Sequence, residues 1–573
     1  MKMLTEKKTH VKNSVNRLVF CGLAVLLQIL FFVGMGFALS VYSTSIMLMF
    51  QVIALFIGFK VYGRTEVSTF KLPWIFLILG FPILGISIFL LFGNKQLPRK
   101  IRRRFAAIDS ALGEKITENP AVTGRLREQN PYIANQCRYI ANRGAFPVFS
   151  NTDITFYPEA WQGFEAQLRD LEKAESFIFL EYHAIEEAQS FARLQAILAE
   201  KARAGVEVRI LYDDIGSIGF IDPGFIGRME KIGVACRVFN SVVPFLNLFM
   251  NNRDHRKITV IDGKVGFTGG YNLADEYFNL KHPYGYWKDT GVRLEGDAVK
   301  SLTGMFLEMW NAMGDTDDQF ERYLPIYPYT SSENGFVQPY ADRPMDNEPL
   351  SENVYLNMIK SATDKLYVTT PYLIISDEMN RELCLAALRG VDVRIVTPGI
   401  PDKKMIYRVT RSYYAGLVRH GVRIFEYTPG FIHAKQMLCD NTLAAVGTIN
   451  LDYRSLYHHF ENGCFMADSP AVLSIRNDLE ETGKRVMILN LLLTKDGIFD
   501  DDLSTIIKKM DNVWLFSEDY GKLYIFENQP ADFDGLQRIL EKEIYAEKDH
   551  WRIRLKKIFG VVTPILVLLN ILV

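Results

Sequence analysis

The sequence contains one group of polar residues twice, at the same spacing. In each copy a lysine stands two positions after a histidine, an aspartate five after the lysine, a glycine seven after the aspartate and an asparagine three after the glycine. The members are His255, Lys257, Asp262, Gly269 and Asn272 in the first copy and His433, Lys435, Asp440, Gly447 and Asn450 in the second. One such match at a given position has a chance on the order of 10⁻⁷ from average residue usage. We therefore interpret the pair as a functional repeat.

These residue types can transfer a group on phosphorus. A neutral imidazole can attack a phosphodiester and form a covalent phosphohistidine. A second, charged imidazole can protonate the leaving alkoxide and then act as base for an incoming hydroxyl. Two lysines and the asparagines Asn272 and Asn450 can hold the non-bridging oxygens while charge builds in the transition state. Because the lysines supply the positive charge, the sequence predicts neither a metal nor a cofactor.

Further polar residues accompany both copies. Asp289 and Glu461 follow the first and the second copy, and a carboxylate that accepts an imidazole N–H fixes its tautomer and basicity. Asp262 and Asp440 belong to the catalytic signature, where we expect them to tie the turn after a strand to nearby backbone.

The glycines and asparagines are expected to bind substrate. The turn at Gly269 and Gly270 lets backbone approach a bound group closely. The segment after Asn272 is predicted to start a helix whose first N–H groups favour an anion.

The repeat extends to the elements that must position these residues. Residues 204–210 resemble 389–395, and each segment reads as a helix that ends at glycine before a short β-branched strand. Strands that alternate with helical patterns predict an α/β sandwich in each half, over 150–335 and 336–470. Alternation along a strand puts each histidine and its lysine on one face.

The first part of the chain has a different character. Charge-free stretches at 18–59 and 72–94 are long enough for helices that cross a bilayer, which needs about 20 apolar residues. We therefore predict an all-α membrane anchor of two to three spans over 1–94. A basic juxtamembrane linker over 95–149 would lie against anionic headgroups. Residues 471–573 form a divergent C-terminal region with an apolar tail at 558–573.

Composition excludes several classes of protein. Of the 573 residues 49% are hydrophobic, which is too many for a disordered chain. The net charge is −1, and residues 1–105 hold 14 Lys or Arg but only 2 Asp or Glu. The rest of the chain is therefore acidic and unlike a nucleic-acid binder. The six cysteines have no C-x-x-C pair or zinc-finger spacing, which indicates buried, reduced thiols.

The two copies resemble the duplicated signature of the phospholipase D superfamily. Their flanks resemble bacterial cardiolipin synthases of that type, with the carrying stretches at 252–257, 266–270, 286–290, 397–404, 411–414 and 427–435. Residues 52–94 also resemble the membrane hairpin of that family, and the resemblance covers roughly 50–465. It implies two duplicated phospholipase D-type α/β sandwich halves behind the anchor.

The resemblance also implies a reaction. Two phosphatidylglycerols would give cardiolipin and glycerol through a phosphohistidine intermediate, with His255 and His433 as the catalytic pair and His255 favoured as the nucleophile. The enzyme would be a multi-pass protein of the bacterial cell membrane, with phosphatidylglycerol and anionic lipids as its partners. The chain departs from the family in one additional predicted span and in 486–535, which reads as an insertion.

Two other readings stay open. A hydrolytic phospholipase D or a transferase with another acceptor alcohol would use the same motifs, since only the acceptor differs. A membrane lipid-binding scaffold without activity would be expected to lose a histidine or lysine, and both copies are complete. The oligomeric state and the side of the membrane that the body faces stay open as well.

Overall fold

The computed structural model describes residues 44–64, 68–93, 99–241, 252–345 and 348–483, three short strands beyond them, and scattered helical positions between 19 and 38. Most of the predicted first span and the apolar tail at 558–573 lie outside these residues.

The described residues between 44 and 93 form three apolar helices. They are α1 (Thr44–Tyr62), α2 (Ser68–Gly80) and α3 (Pro82–Phe92). Trp74 and Ile78 of α2 are buried in a cluster that includes Val409 and Tyr453 of the second half. Among the described residues, no helix combines the length and the apolarity needed to cross a bilayer. The two to three spans predicted over 1–94 are therefore not confirmed.

The segment predicted as a linker is folded. It forms α4 (Arg99–Gly113), α5 (Pro120–Gln129) and α6 (Pro131–Gly144). One face of α4 is apolar at helical spacing, and its Phe105, Ile108 and Leu112 are buried in the main core. The basic side chains occupy the rest of α4, so a run of charge concealed an amphipathic helix. The expectation of a linker over 95–149 is corrected accordingly.

The part of the first half that the structure describes contains eight strands and five helices. The strands are β1 (Thr152–Tyr157), β2 (Phe177–Tyr182), β3 (Glu207–Asp213), β4 (Val234–Phe239), β5 (Lys257–Ile261), β6 (Val265–Gly269), β7 (Tyr286–Lys288) and β8 (Gly291–Gly296). The helices are α7 (Ala160–Leu171), α8 (Gln189–Arg203), α9 (Asp214–Ser217), α10 (Phe225–Lys231) and α11 (Val299–Ala312), with 3-10 turns at Asp275–Phe278 and Phe320–Tyr323.

The second half repeats this plan. The strands are β9 (Phe336–Asp342), β10 (Lys365–Thr369), β11 (Asp392–Pro398), β12 (Arg423–Tyr427), β13 (Gly430–Ile432), β14 (Gln436–Cys439), β15 (Leu443–Gly447), β16 (Glu461–Ala467) and β17 (Val486–Ile488). The helices are α12 (Leu350–Ser361), α13 (Asp377–Leu388), α14 (Lys404–Ser412), α15 (Tyr414–Val418), α16 (Tyr453–Tyr457) and α17 (Pro470–Thr482). A separate hairpin pairs β18 (Asn512–Ser517) with β19 (Lys522–Glu527).

The two main sheets have the same strand order. The first runs β1-β8-β6-β5-β2-β3-β4, and the second runs β9-β16-β15-β14-β10-β11-β12 with β17 at its edge. In both, three neighbouring strands are parallel and the others antiparallel. Gly205 and Gly390, at φ 91° and 92°, end equivalent helices in the left-handed conformation. The duplicated mixed α/β body predicted from the repeat is therefore present.

The halves meet through backbone as well as side chains. Strand β7 of the first half pairs in parallel with β13 of the second. Asp254 forms an isolated bridge with Phe460. One hydrophobic core contains residues from both sheets, so the halves form a continuous body. These crossings bring the ends of β5 and β14 towards each other.

Candidate active site

Each motif histidine stands just before a central strand and is tied to the opposite half. His255 precedes β5, and its backbone N–H donates to the Phe460 carbonyl at 2.8 Å. His433 precedes β14, and its N–H donates to the Lys288 carbonyl at 2.7 Å. Both side chains are more than nine-tenths buried. The fold thus brings both motif copies to the line where the two halves meet.

The two carboxylates predicted to orient the imidazoles are exchanged between the halves. His255 Nδ1 lies 2.9 Å from Glu461 Oε2, which belongs to the second half. His433 Nδ1 lies 2.6 Å from Asp289 Oδ2, which belongs to the first. Each imidazole therefore takes its position from a carboxylate on the other copy. Spacing along the chain identified these carboxylates, but only the folded structure shows which histidine each one contacts.

Two buried lysines lie beside the imidazoles. Lys257 Nζ donates to the His255 carbonyl at 2.6 Å, and Lys435 Nζ donates to the His433 carbonyl and lies 2.7 Å from His433 Nδ1. Burial lowers the pKa of Lys257 to about 8 and that of Lys435 to about 7, although carboxylates of the site oppose the shift. Their positive charge is therefore sensitive to conditions near neutral pH.

The lysines in turn affect both histidines. Burial, followed by the charge of Lys257, holds the pKa of His255 well below its usual value. Burial and the charge of Lys435 lower the pKa of His433 to about 4, against the opposing effect of Asp289. Lys435 also acts on His255, and Lys257 also acts on His433. The two copies therefore form one electrostatic unit.

The motif aspartates lie at the opposite end of their strands. Asp262 follows β5 and accepts backbone N–H groups of Glu175, Ser176 and Phe177 at 2.7–2.9 Å. Asp440 follows β14 and accepts N–H groups of residues 363–365, together with the Thr363 hydroxyl. Both have positive φ, 53° and 52°, a conformation that aspartate tolerates. This geometry ties each turn to the start of a neighbouring strand.

The glycines of the first copy make room for protein groups. A Cβ at Gly270 would lie 2.1 Å from Asp289 Oδ1, and one at Gly269 would lie 2.4 Å from the Thr290 carbonyl. A Cβ at Gly447 would lie 2.3 Å from the Asn462 carbonyl. The glycines therefore let the segment that carries each carboxylate approach the motif strand. The sequence predicted a close approach here, but to a bound group.

The two asparagines differ in their partners. Asn272 accepts the Ala184 N–H at 3.1 Å and donates to the Tyr277 hydroxyl at 2.8 Å. Asn450 is also buried, but its Oδ1 has no hydrogen-bond partner among the described residues. The helix predicted after Asn272 is a single 3-10 turn at Asp275–Phe278, and α16 has only five residues. Both are too short to support the predicted anion site at a helix N-terminus.

Two further histidines lie beside His255. The His183 ring centroid is 4.9 Å from that of His255, and the His459 centroid is 5.6 Å from it. His183 Nδ1 donates to the Asp254 carbonyl at 2.7 Å. Sequence reasoning missed both residues. One signal was available for His183, since it directly follows β2, and side chains at the carboxyl ends of parallel strands commonly line binding sites.

One set of side chains has the spacing of metal ligands. Atoms of His255, His459 and Glu461 lie within 4.8 Å of one another. However, Arg454 Nε donates to His459 Nε2 at 3.2 Å, which leaves the proton of the neutral ring on Nδ1. A metal-bound histidine instead donates its second N–H to an acceptor. This hydrogen bond does not suit a metal centre.

The chain is similar to several known proteins. The family model described as "Cardiolipin synthase, PLD-like domain" matches residues 168–310 and 355–482. The chain is 31% identical over 471 residues to a cardiolipin synthase of Alkalihalophilus pseudofirmus, covering 82% of this chain and 93% of that protein. It is 43% identical over 415 residues to an uncharacterised protein of Streptococcus mutans, covering 72% and 90% of the two chains. A solved structure of phosphatidylserine synthase from Haemophilus influenzae aligns at 12% identity over 62% of this chain and 91% of that one, with a TM-score of 0.48.

Proposed function

Because the chain belongs to the cardiolipin synthase family of phospholipase D-like proteins, we propose that it transfers a phosphatidyl group between two phosphatidylglycerols, producing cardiolipin and releasing glycerol. The observation that carries the proposal is the exchanged pairing, in which each motif imidazole is held by a carboxylate of the other half. This arrangement supplies two imidazoles with fixed tautomers beside two lysines.

The proposed chemistry proceeds in two steps. In the first, Nε2 of one neutral histidine attacks phosphorus and the bond from phosphorus to the glycerol oxygen breaks. The second histidine, which is protonated, gives that oxygen a proton and becomes neutral. In the second, a hydroxyl of another phosphatidylglycerol attacks phosphorus, loses its proton to the second histidine, and displaces the first imidazole. Lys257 and Lys435 stabilise the charge on the non-bridging oxygens. One phosphodiester replaces another, so the reaction balances without a further reactant.

We also propose that the protein acts at the bacterial cell membrane, where its lipid substrates lie. The helices α1 and α2 carry large apolar side chains that are mostly exposed, including Phe56 (71%), Phe59 (66%) and Phe76 (73%). Exposed apolar surface next to a compact body is typical of membrane contact. In the finer form of the proposal, residues 1–94 supply two to three spans and the basic face of α4 meets anionic headgroups.

Incubation of the purified full-length protein with phosphatidylglycerol vesicles tests this function. We expect equal amounts of cardiolipin and glycerol. The variants His255→Ala and His433→Ala should each lower the rate by at least about 10³-fold, as expected when a group that takes part in covalent or proton-transfer catalysis is removed. His420→Ala, at an exposed histidine outside the site, serves as the control. Phosphatidic acid without cardiolipin would instead indicate hydrolysis and contradict the proposal.

A further inference from the structure

Three arginines lie close to the motif histidines, and one of them has no carboxylate partner. Arg253 pairs with Asp213 at 3.3 Å, and Arg256 pairs with Glu308 at 3.3 Å. Arg454 is largely buried, yet it forms no ion pair with any residue that the structure describes. A cation inside a protein normally has an anion beside it, because the loss of solvent around a charge is costly. Arg454 is therefore available to a negatively charged ligand.

The local fold holds Arg454 in place. It is the second residue of α16, and the side chain of Asp452 accepts the Ser455 N–H at 2.9 Å at the start of that helix. The Arg454 carbonyl accepts the N–H groups of His458 and His459, each at 2.9 Å. The residue is thus positioned before a ligand arrives, which lowers the entropy that binding costs.

The guanidinium of Arg454 uses only part of its hydrogen-bonding capacity. Its Nε donates to His459 Nε2 at 3.2 Å. The two terminal nitrogens donate to no residue within the described part of the chain. These nitrogens form a planar fork whose spacing matches two oxygens of a phosphate group. The unused part of the guanidinium is therefore suited to a phosphate.

Arg454 is one side chain away from a motif histidine. The ring of His459, which it contacts, is centred 5.6 Å from the ring of His255. The ring of His183 is centred 4.9 Å from that of His255. Burial, and then the charges of nearby cations that include Arg454, lower the pKa of both His183 and His459. The charge of Arg454 therefore acts on the wall of the active site.

The proposed reaction brings two phosphates to this site, and only one of them reacts. The phosphates of cardiolipin are joined through the three carbons of a glycerol. The attacking phosphatidylglycerol therefore carries its own phosphate three carbons away from the hydroxyl that attacks. Lys257 and Lys435 serve the phosphate that reacts, so the second anion needs a separate cation. Glycerol and water, as acceptors, carry no such group.

We propose that Arg454 binds the phosphate of the acceptor phosphatidylglycerol, the phosphate that does not react. This inference rests on the proposed function and names a residue that selects the acceptor. In the first step the same position faces the uncharged head glycerol of the donor, so Arg454 contributes little there. In the second step its fork holds the acceptor lipid with the terminal hydroxyl near phosphorus, which favours the lipid over water.

The variant Arg454→Gln removes the fork and the charge but keeps one donor. The side-chain nitrogen of glutamine takes the position of Arg454 Nε, so it can still donate to His459. Because no ion pair is lost, the unfolding midpoint should be unchanged or higher. Arg454→Lys keeps the charge without the fork. Arg381→Gln, at an exposed arginine of α13, is the matched control.

Two reactions of the same intermediate separate acceptor binding from chemistry. Vesicles of phosphatidylglycerol with labelled glycerol report cardiolipin formation together with exchange of glycerol into phosphatidylglycerol. Exchange uses the first step and its reverse, and its acceptor has no phosphate. In Arg454→Gln, cardiolipin formation should fall about 10- to 100-fold, the loss expected for hydrogen bonds to a charged group, while exchange stays within about threefold of wild type. Arg454→Lys should lie between these, and Arg381→Gln should match wild type in both reactions.

Equal losses in the two reactions would overturn the proposal, since they would place Arg454 on the reacting phosphate or in the support of the fold. Unchanged cardiolipin formation in Arg454→Gln would overturn it as well. Soluble acceptors give an independent readout. Wild type should transfer the phosphatidyl group to glycerol phosphate in preference to glycerol, and Arg454→Gln should lose this preference by about 10-fold or more. No preference in wild type would also overturn the proposal. Failure of the proposed function looks different, since wild type itself would then make no cardiolipin.

Discussion

Replacement of Asp262 by alanine should destabilise the first half of the body and leave the chemistry almost intact. The carboxylate is mostly buried and accepts three backbone N–H groups at 2.7–2.9 Å. Its loss leaves the N–H of Phe177 buried without a partner, at about 1–3 kcal/mol, and the two more exposed N–H groups lose about 0.5–1.5 kcal/mol each. Alanine at φ 53° adds about 1 kcal/mol. The total is about 3–7 kcal/mol.

Thermal unfolding of the full-length protein in detergent measures this effect. For a unit the size of one half, about 2–4 °C of midpoint is lost per kcal/mol, so the midpoint should fall by roughly 6–28 °C. Asp262→Asn keeps the oxygen that accepts two of the N–H groups and should cost much less. At a temperature where both variants are folded, cardiolipin synthesis per folded molecule should stay within about threefold of wild type. An unchanged midpoint with a loss in rate above about 100-fold would refute the reasoning and place Asp262 in the chemistry.

Three further perturbations probe the site and the fold. The plot of kcat/KM against pH should be bell-shaped, because protonation of His433 below about pH 4 removes a lone pair and loss of charge from Lys435 and Lys257 above about pH 7–8 weakens phosphate binding. Lys435→Arg should move the alkaline limb of the profile to higher pH. A flat profile from pH 5 to 9 would contradict the pKa directions. Gly270→Ala should lower kcat by at least about tenfold with little change in the unfolding midpoint, because its Cβ would displace a carboxylate oxygen 2.1 Å away; an unchanged kcat would show that the carboxylate need not stay in place. Phe105→Ala should cost about 3–5 kcal/mol in chemical denaturation if α4 belongs to the catalytic body, and a change below 1 kcal/mol would restore the linker interpretation.

The sequence predicted those features that depend on local pattern. Alternation of side chains along a strand and glycine at a helix end are both determined within a few residues of sequence. Strands such as β5 and β14 and the turns at Gly205 and Gly390 could therefore be predicted. The duplication fixed the topology, because two copies of one pattern that share a core must adopt one arrangement twice. The basic segment that forms α4 was predicted to be a linker because its basic residues outnumber the three apolar residues that pack into the core.

The features that sequence reasoning missed depend on contacts between distant parts of the chain. The pairing of His255 with Glu461 spans 206 positions, and that of His433 with Asp289 spans 144. No spacing rule within one copy specifies such a crossing. The same is true of Gly270, whose missing side chain accommodates Asp289 and not a ligand. His183 enters the site only because β2 and β5 are adjacent and antiparallel.

The exchange of carboxylates has a consequence for the evolution of two roles from one repeat. Two identical halves would place identical pairs on both sides of a phosphate, and chemistry that needs one lone pair and one proton at the same moment would depend on chance protonation. In this chain the second half supplies a glutamate to His255 and the first half supplies an aspartate to His433. Because each carboxylate acts on the opposite histidine, a change in one half alters the tautomer in the other. Divergence of the carboxyl positions therefore makes the surroundings of the two histidines different while both motifs stay unchanged.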